Sequence, residues 1–175
     1  QINVSHDGIG EAYERVRGFD GRALAERAIR MLVAQGIPTG VNVVITARGK
    51  VFVFPVKQGR SLEADTREAI RYRDAKFSSD GKTIIAISDE SGELELTQLP
   101  ANGVGDVKQL TKDAATVRWQ NKPSPDGKKI AHTDKLQRLW IFDVESATNT
   151  LVEENKSENL DWLSWSPDSQ WLAYT

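Results

Sequence analysis

A four-residue turn signature recurs along this chain at nearly constant spacing. The clearest copies are Ser78-Ser79-Asp80-Gly81, Ser124-Pro125-Asp126-Gly127 and Ser166-Pro167-Asp168-Ser169, and Ile37-Pro38-Thr39-Gly40 is a weaker one. The copies end at Gly40, Gly81, Gly127 and Ser169, so successive spacings are 41, 46 and 42 residues. A period of about 40 to 45 residues is typical of one four-stranded blade of a β-propeller. The repeat therefore predicts an all-β protein built from such blades.

The residue types in this signature favour a tight hairpin turn. Proline presets φ at the second position, aspartate can accept a hydrogen bond from its own backbone, and glycine tolerates positive φ. Each of the three clear turns holds a single aspartate, whereas a calcium loop needs several oxygen ligands close together, so we predict turns and neither a metal nor a cofactor. The residues assigned to structural turns are Gly40, Asp80, Gly81, Asp126, Gly127 and Asp168.

Runs of β-forming residues on either side of the turns divide the chain into blades. For the best-formed blade we predict strands at residues 73–78, 83–89, 94–100 and 107–110. The blade boundaries that follow from this order are 29–66, 67–114, 115–156 and a truncated 157–175. We expect a partial β-propeller of four-stranded antiparallel blades, with about three blades and a fragment of a fourth. A blade cut after two strands would expose a sheet edge, so the sequence is expected to be part of a longer propeller.

Residues 20–36 fit two structures. An apolar stripe at helical spacing, with Asp20 as a cap and Gly36 as a stop, predicts a helix. The repeat register instead requires a strand at residues 29–36, directly before the weak turn. Because tertiary context often outweighs propensity, we expect the strand and keep the helix as the alternative.

Composition excludes several classes of function. The 23 Lys and Arg are interspersed with 25 Asp and Glu, which gives a net charge of -2 and no clustered basic face for nucleic acid or an anionic membrane. No apolar run approaches the roughly 20 residues that span a bilayer. The chain contains no Cys, which excludes disulfides, thiolate metal sites and a cysteine nucleophile.

Ser124, His132 and Asp134 invite comparison with a catalytic triad. Such a site needs a base within hydrogen-bond reach of the serine and a third group that orients the base. Ser124, however, opens a hairpin turn, and His132 shares a strand face with Asp134 where nothing suggests an oxyanion hole. We therefore interpret all three as structural residues and predict no catalytic residue in this segment.

An ordered series of short elements resembles the tricorn-type serine peptidases. The matching elements are ARGKVFVFP at residues 47–55, RYRDA at 71–75, SDESGE at 88–93, LPANG at 99–103 and QLT at 109–111. The likeness extends from about residue 29 to residue 175 and is closest to bacterial members. Departures occur at Ile37, where Ser is expected, and at Ser79, where Pro is commoner. The blades alone would also fit TolB-like propellers.

The resemblance implies a place in a larger enzyme. Members of this family are multidomain peptidases with two successive propellers, so residues 1–28 would lead out of a preceding propeller. The propellers are thought to screen or channel peptides to the active site. This implies peptides or unfolded polypeptides and other domains of the same chain as partners, a possible homo-oligomer, and a periplasmic or cytoplasmic location, with the periplasm favoured. The alternative is a TolB-like scaffold for protein binding with no peptidase attached.

Charged residues on the strands that precede the turns are the candidates for contact with peptide ends, because these strands line the central channel of a propeller. They are Arg71, Arg73, Asp74, Arg118 and Asp161. Inter-blade salt bridges are the alternative role for them. The five Trp residues all lie in the C-terminal third, at positions 119, 140, 162, 165 and 171. We expect them to pack between blades rather than to form an aromatic platform for a ligand.

Overall fold

The computed structural model describes residues 2–3, 21–36, 39–40, 42–55, 59–155, 160 and 162–175. The chain divides into two compact units. One contains residues 1–43 and 54–61, and the other contains residues 44–53 and 62–175. Most of the lead-out expected over residues 1–28 lies outside the described residues, as do the first two residues of the weak turn.

The described elements are one helix and fifteen short strands. In chain order they are β1 (Ile2–Asn3), α1 (Gly21–Ala34), β2 (Thr39–Gly40), β3 (Asn42–Ala47), β4 (Lys50–Pro55), β5 (Leu62–Glu63), β6 (Tyr72–Phe77), β7 (Thr83–Ser88), β8 (Glu95–Pro100), β9 (Lys108–Gln109), β10 (Arg118–Pro123), β11 (Lys129–Asp134), β12 (Arg138–Asp143), β13 (Thr148–Glu154), β14 (Leu163–Trp165) and β15 (Leu172–Tyr174).

Two complete blades form the centre of the larger unit. Their strand orders are β6-β7-β8-β9 and β10-β11-β12-β13, and all neighbours within them are antiparallel. The pair β14-β15 begins another blade, and β3-β4-β5 forms a three-stranded sheet. The innermost strand β10 contacts both β6 and β14, the first strands of the sheets before and after it. The predicted partial β-propeller of antiparallel blades is confirmed.

The two complete blades have middle strands that are buried on both faces, which explains the apolar sequence of β7. In β7, Ile84 and Ala86 pack toward the preceding sheet, whereas Ile85 and Ile87 pack toward the following one. Because strand side chains alternate between faces, a middle strand that is buried on both sides must be apolar at consecutive positions. Burial of one such isoleucine contributes roughly 1.5 to 3 kcal/mol. Three separate apolar clusters therefore lie between successive sheets.

The three-stranded sheet corresponds to the second, third and fourth strands of a blade. The amide of Ala64 donates to Val51 O at 2.8 Å, and the amide of Leu110 donates to Leu96 O at the same distance. These bonds link the third strand to the residue that follows the fourth strand in each sheet. The strand expected at residues 29–36 would have been the innermost strand of this first blade.

That expected strand is wrong, because residues 29–34 belong to helix α1 (Gly21–Ala34). Its sequence, GRALAERAIRMLVA, is dominated by Ala, Leu, Arg, Glu and Met, which are strong helix formers. The helix ends at Ala34, and Gly36 follows in a turn, where its amide donates to Val33 O at 3.0 Å and its φ of 70° suits glycine. Local propensity decides the structure at this point, and the repeat register does not.

Gly40 also differs from its predicted role in a hairpin turn. It lies in β2, where it is the register partner of Asn3 in a parallel pair with β1. The described element directly before β2 is helix α1, so the described residues supply no strand that a hairpin turn at Gly40 would join. The other turns lie between strands as predicted, and the predicted strands of the second blade agree with β6 to β9 within two residues at each end.

Candidate functional site on the innermost strands

The innermost strands β6 and β10 each contain one extra residue relative to the strand beside them. Arg73 is the register partner of Ile87, and the next partner pair joins Lys76 to Ile85. In β10 the irregularity lies between Arg118 and Gln120. Such bulges redirect side chains away from regular sheet positions and often occur next to binding sites. The charged candidates from the sequence lie at or beside these two bulges.

Arg71 and Arg73 lie on the surface at the start of β6. The Arg71 side chain is 80% exposed, and its Nε donates to Asp89 Oδ2 at 2.7 Å. Its stem lies against Gly49, where an added Cβ would meet Arg71 Cγ at 3.0 Å. Arg73 is exposed, and no ion pair joins it to another described residue. Both guanidinium groups are therefore accessible to a ligand.

Asp74 joins the two complete blades across their innermost strands. Its Oδ2 accepts hydrogen bonds from the backbone amide of Asn121 and from Asn121 Nδ2, the latter at 3.1 Å. Asn121 Nδ2 also donates to Asp74 O at 2.6 Å, and Lys76 Nζ donates to Asp74 Oδ1 at 2.6 Å. The φ of Asp74 is 51°, which is uncommon outside glycine. These bonds hold a strained residue in place.

Arg118 lies in the interior rather than at an accessible channel mouth. Only 3% of the residue is exposed. Its Nη2 donates to Glu95 Oε2 at 3.0 Å and to Asp113 Oδ1 at 2.6 Å, and its Nε donates to the Leu94 carbonyl. A buried guanidinium needs such partners to offset its lost hydration. Arg118, which lies in the β10-β11-β12-β13 blade, therefore links this blade to the preceding β6-β7-β8-β9 blade.

Glu95 completes this interior ion-pair network on the side of the preceding blade. Its Oε2 accepts from the Thr111 hydroxyl, and its Oε1 accepts from the Ala114 amide at 2.8 Å. The Asp113 carboxylate also accepts from Asn149 Nδ2 at 2.8 Å. Although burial opposes ionisation, the bonds from Asn149 and Arg118 hold the pKa of Asp113 below its ordinary value. The charged form of Asp113 is thereby stabilised.

His132 lies at the end of the same network and has no exposed surface. Its Nε2 is 2.9 Å from Asn149 Oδ1, and its Nδ1 is 3.2 Å from Arg118 Nη1. The tautomer that satisfies both contacts carries its proton on Nε2 and accepts at Nδ1. Burial, with the charge of Arg118 second, lowers the pKa of His132 to about 4. His132 is therefore neutral at pH 7.

The three residues of the triad-like pattern each have other partners. The Ser124 hydroxyl donates to Asp126 Oδ1 at 2.6 Å, inside the turn. Asp134 accepts from Arg138 Nε at 2.8 Å and from the Trp140 indole N–H at 3.0 Å. Asp161, the last of the charged candidates, lies outside the described residues. No group of three or more His, Asp or Glu among the described residues is arranged to hold a metal ion.

The three clear turns share one hydrogen-bond pattern. In each, the carboxylate accepts from a serine hydroxyl two residues earlier and from the amide two residues later. The hydroxyl bond from Ser124 lowers the pKa of Asp126, and that from Ser166 lowers the pKa of Asp168. The fourth residues of the turns all have positive φ, namely Gly81 at 63°, Gly127 at 73° and Ser169 at 61°.

Successive turns also touch one another. The Asp126 amide donates to Ser169 Oγ at 3.0 Å, and a Cβ added to Gly127 would lie 2.8 Å from Ser79 Oγ. The hydrogen bond that Ser169 accepts from the preceding blade thus offsets the energetic cost of its left-handed backbone conformation. Ser79, which departs from the commoner proline, sits where the next turn approaches most closely.

Sequence reasoning missed the exposure of Trp119. This residue was expected to pack between blades, yet 55% of it is exposed. Trp119 lies 46 residues after Arg73, the same offset that separates the turns ending at Gly81 and Gly127. The repeat therefore places Trp119 at the β10 position that Arg73 occupies in β6, and the same comparison of offsets could have identified it.

The chain matches the family described as the tricorn protease second beta propeller domain over residues 33–175. A tricorn-like protease C-terminal subunit of Sulfurisphaera tokodaii is 28% identical over 131 residues, which are 75% of this chain and 15% of that protein. A tricorn protease homolog of Saccharolobus solfataricus is 25% identical over 140 residues, which are 80% of this chain and 12% of that protein. The chain thus spans a small fraction of the curated relatives it matches.

Solved structures show the same fold. The crystal structure of the tricorn protease superimposes with a TM-score of 0.65 at 16% identity, over 76% of this chain and 12% of that chain. TolB from Acinetobacter baumannii superimposes with a TM-score of 0.56 at 21% identity, over 75% of this chain and 33% of that chain. Among the described residues, no helix has the length and apolar character needed to cross a bilayer.

Proposed function

The chain belongs to the family of the tricorn protease second β-propeller domain, and from this premise we propose that it is a non-catalytic propeller segment of a tricorn-like serine peptidase. In this role the segment binds peptides and screens or channels them to an active site carried by other parts of the parent protein. The names of the curated relatives support the peptidase parent. The observation that supports peptide contact is the exposed pair Arg71 and Arg73 at the start of an innermost strand.

Arginine is suited to this contact because its guanidinium binds carboxylates in a planar, two-bonded geometry. A peptide offers a carboxylate at its C-terminus and at every Asp or Glu side chain. Arg73 has no described ionic partner, and Arg71 presents most of its side chain to solvent although Asp89 holds its Nε. The proposed ligand class is therefore an unfolded or extended peptide that carries acidic groups.

The other charged candidates are better suited to holding blades together. Arg118 binds Glu95 and Asp113 inside the protein. Asp74 binds Asn121 across the innermost strands. A peptide role for either residue would require these bonds to break, so the test concentrates on the two exposed arginines.

The proposal is tested with the chain in which both arginines are changed, Arg71→Glu with Arg73→Glu. The probe is a fluorescein-labelled peptide of Gly, Ser, Leu and Asp with a free C-terminal carboxylate, and binding is followed by fluorescence anisotropy. We expect the unaltered chain to bind it and the double variant to bind at least about tenfold more weakly, since two charge-assisted contacts are reversed.

A matched control changes the same amount of charge elsewhere. Lys82 and Lys128 are exposed lysines in the turns at the other end of the strands, and Lys82→Glu with Lys128→Glu should leave peptide binding within about twofold. Equal losses in both double variants would mean that only net charge matters. Absence of binding to the unaltered chain would reject the peptide role and favour the TolB-like protein scaffold.

A further inference from the structure

We infer that Trp119 is a specificity-determining contact, which binds a large apolar or aromatic side chain of a peptide lying along the innermost strands. The inference rests on the proposed function and refines its ligand class. The preferred ligand becomes an extended peptide in which an aromatic or large aliphatic residue stands close to acidic ones. Trp119 is exposed, lies at the repeat position of Arg73, and makes no ring contact with another described residue.

Trp119 is exposed although described sheets lie on both sides of its strand. Its strand, β10, contacts both β6 and β14, so sheets are present on either side of it. Even so, 55% of Trp119 is exposed, whereas Arg118 beside it and Asn121 on the same strand are 3% and 1% exposed. The register irregularity between Arg118 and Gln120 spans Trp119, and a bulge at that point turns the side chain away from the inter-blade packing.

The repeat places Trp119 beside the arginine site of the proposed function. Trp119 in β10 and Arg73 in β6 occupy equivalent positions on neighbouring innermost strands that contact each other. The hydrogen bonds between Asp74 and Asn121 join the two strands close to both residues. An extended peptide that reaches Arg73 with a carboxylate can therefore place a nearby side chain on the Trp119 ring.

Trp140 and Trp165 have evident structural roles. The Trp140 ring stacks on His132 with centroids 6.3 Å apart, lies 5.1 Å from the Arg138 guanidinium carbon and donates its N–H to Asp134. The Trp165 indole donates to the Lys122 carbonyl at 2.9 Å. The structure gives Trp119 no ring contact and no hydrogen bond to another described residue. A large exposed aromatic group without such a role, next to polar anchors, is typical of binding surfaces.

The test compares three short labelled peptides on the unaltered chain and on Trp119→Ser. The first peptide contains Asp-Gly-Phe-Gly-Asp within a Gly-Ser sequence, the second replaces Phe by Ala, and the third replaces both Asp by Asn. We expect Trp119→Ser to weaken the Phe peptide about three- to tenfold and to leave the Ala peptide within about twofold. The Asn peptide should bind weakly to both proteins, because it lacks the carboxylates that Arg71 and Arg73 bind.

Trp171→Ser is the matched control because Trp171 is even more exposed, at 76%, and lies next to a hairpin turn rather than on an innermost strand. Its affinity for all three peptides should stay within about twofold of the unaltered chain. An equal loss in Trp171→Ser and Trp119→Ser would overturn the inference, since it would indicate nonspecific apolar binding. Thermal unfolding of Trp119→Ser should stay within about 2 °C of the unaltered chain, as for a surface substitution.

A second measurement works even if Trp119→Ser fails to fold. In ¹H–¹⁵N spectra of the unaltered chain, the Trp119 indole N–H peak should shift during titration with the Phe peptide, and the Trp171 peak should not. If the Phe and Ala peptides bind equally well and the Trp119 peak stays unmoved, the inference is wrong while the peptide role stands. If none of the peptides binds, the proposed function fails, and the inference fails with it.

Discussion

Arg118 and His132 lie against each other in the interior between two blades, with Arg118 Nη1 3.2 Å from His132 Nδ1. A guanidinium keeps its proton at any ordinary pH, so the imidazole beside it must stay neutral to accept that hydrogen bond. Protonation of His132 would place two positive charges side by side in a buried site. The pair therefore makes the junction of the blades sensitive to acid.

We expect the chain to lose stability between pH 6.5 and pH 4 because of His132. Its pKa falls from an ordinary 6.5 to about 4 in the folded protein, so the unfolded state binds a proton more readily within this window. The free energy of unfolding should be highest above pH 6.5, decrease as the pH falls through the window, and lose roughly 3 kcal/mol in all. Urea unfolding at a series of pH values measures this.

His132→Gln is the control for that pH profile. It removes the imidazole and should flatten the profile between pH 4 and 6.5 relative to the unaltered chain. Carboxylates whose pKa values are held low, such as Asp113 and Asp134, lose their contribution at lower pH, below an ordinary value of 3.8. Parallel profiles for the two proteins would show that His132 does not control the acid response.

Arg118→Met should be among the most damaging single substitutions. The side chains of Arg118 and Glu95 are each 4% exposed, so loss of the guanidinium leaves a buried carboxylate without its counter-charge. Such a change costs about 3 to 5 kcal/mol. Arg71→Met is the matched control, since the exposed pair of Arg71 with Asp89 should be worth less than about 1 kcal/mol.

Chemical denaturation of both arginine variants checks this prediction. Adding Glu95→Gln to Arg118→Met should recover part of the lost stability, because it removes the orphaned charge. A cost for Arg118→Met as small as that for Arg71→Met would mean that the buried pair contributes nothing beyond a surface ion pair.

Thr133→Val should stabilise the protein. Thr133 is 2% exposed, and its hydroxyl oxygen has no hydrogen-bond partner among the described residues. Replacing a buried, unpaired hydroxyl by a methyl group of similar size removes its desolvation penalty, for an expected gain of about 1 kcal/mol. The midpoint of thermal unfolding should rise accordingly.

Thr111→Val should instead destabilise the protein, because the hydroxyl of Thr111 is similarly buried but has hydrogen-bond partners. Thr111 is 3% exposed, and its hydroxyl accepts from the Leu96 amide at 2.9 Å and donates to Glu95. Removing it takes the side-chain acceptor from the buried Leu96 amide and one of several hydrogen bonds from the Glu95 carboxylate, and should cost about 1 to 3 kcal/mol. Shifts of the same sign in Thr133→Val and Thr111→Val would contradict the assignment of Thr133 as unpaired.

The sequence predicted those features that depend on local chemistry. Turn residues such as Asp126 and Gly127 indicate a hairpin from a four-residue segment alone. The run of apolar residues in β7 likewise indicates a strand that is buried on both faces. The placement of Arg118 depends on Glu95, which lies 23 residues earlier, and no local pattern indicates that pairing. The strand expected at residues 29–36 is wrong, and the helix kept as its alternative is present, because helix-forming composition outweighs the repeat register there.

Trp119 falls between these two cases. Its position in the repeat could be read from its offset to Arg73, but its exposure depends on the irregular register of β10, which the sequence does not reveal. The candidate peptide site is thus a combination of two residues of different chemistry at one repeat position. That both residues are exposed is seen only in the structure.

Gly127→Ala tests the contact between successive turns. A Cβ at this position would lie 2.8 Å from Ser79 Oγ, and the backbone φ of 73° disfavours any side chain. We expect a cost of about 1 to 2 kcal/mol, most of it backbone strain, because the exposed Ser79 hydroxyl can rotate partly out of the way of the new methyl group. Denaturant unfolding of the single variant measures the sum.

Ser79→Ala separates the two contributions to that cost. It removes the hydroxyl that the new methyl group would meet, so the double variant should regain the part of the stability lost to the clash and keep only the backbone strain. Ser79→Ala alone should change the stability by less than about 0.5 kcal/mol, as for an exposed residue. Strict additivity of the two single substitutions would show that the turns of neighbouring blades do not touch in solution, because residues in contact couple and distant ones do not.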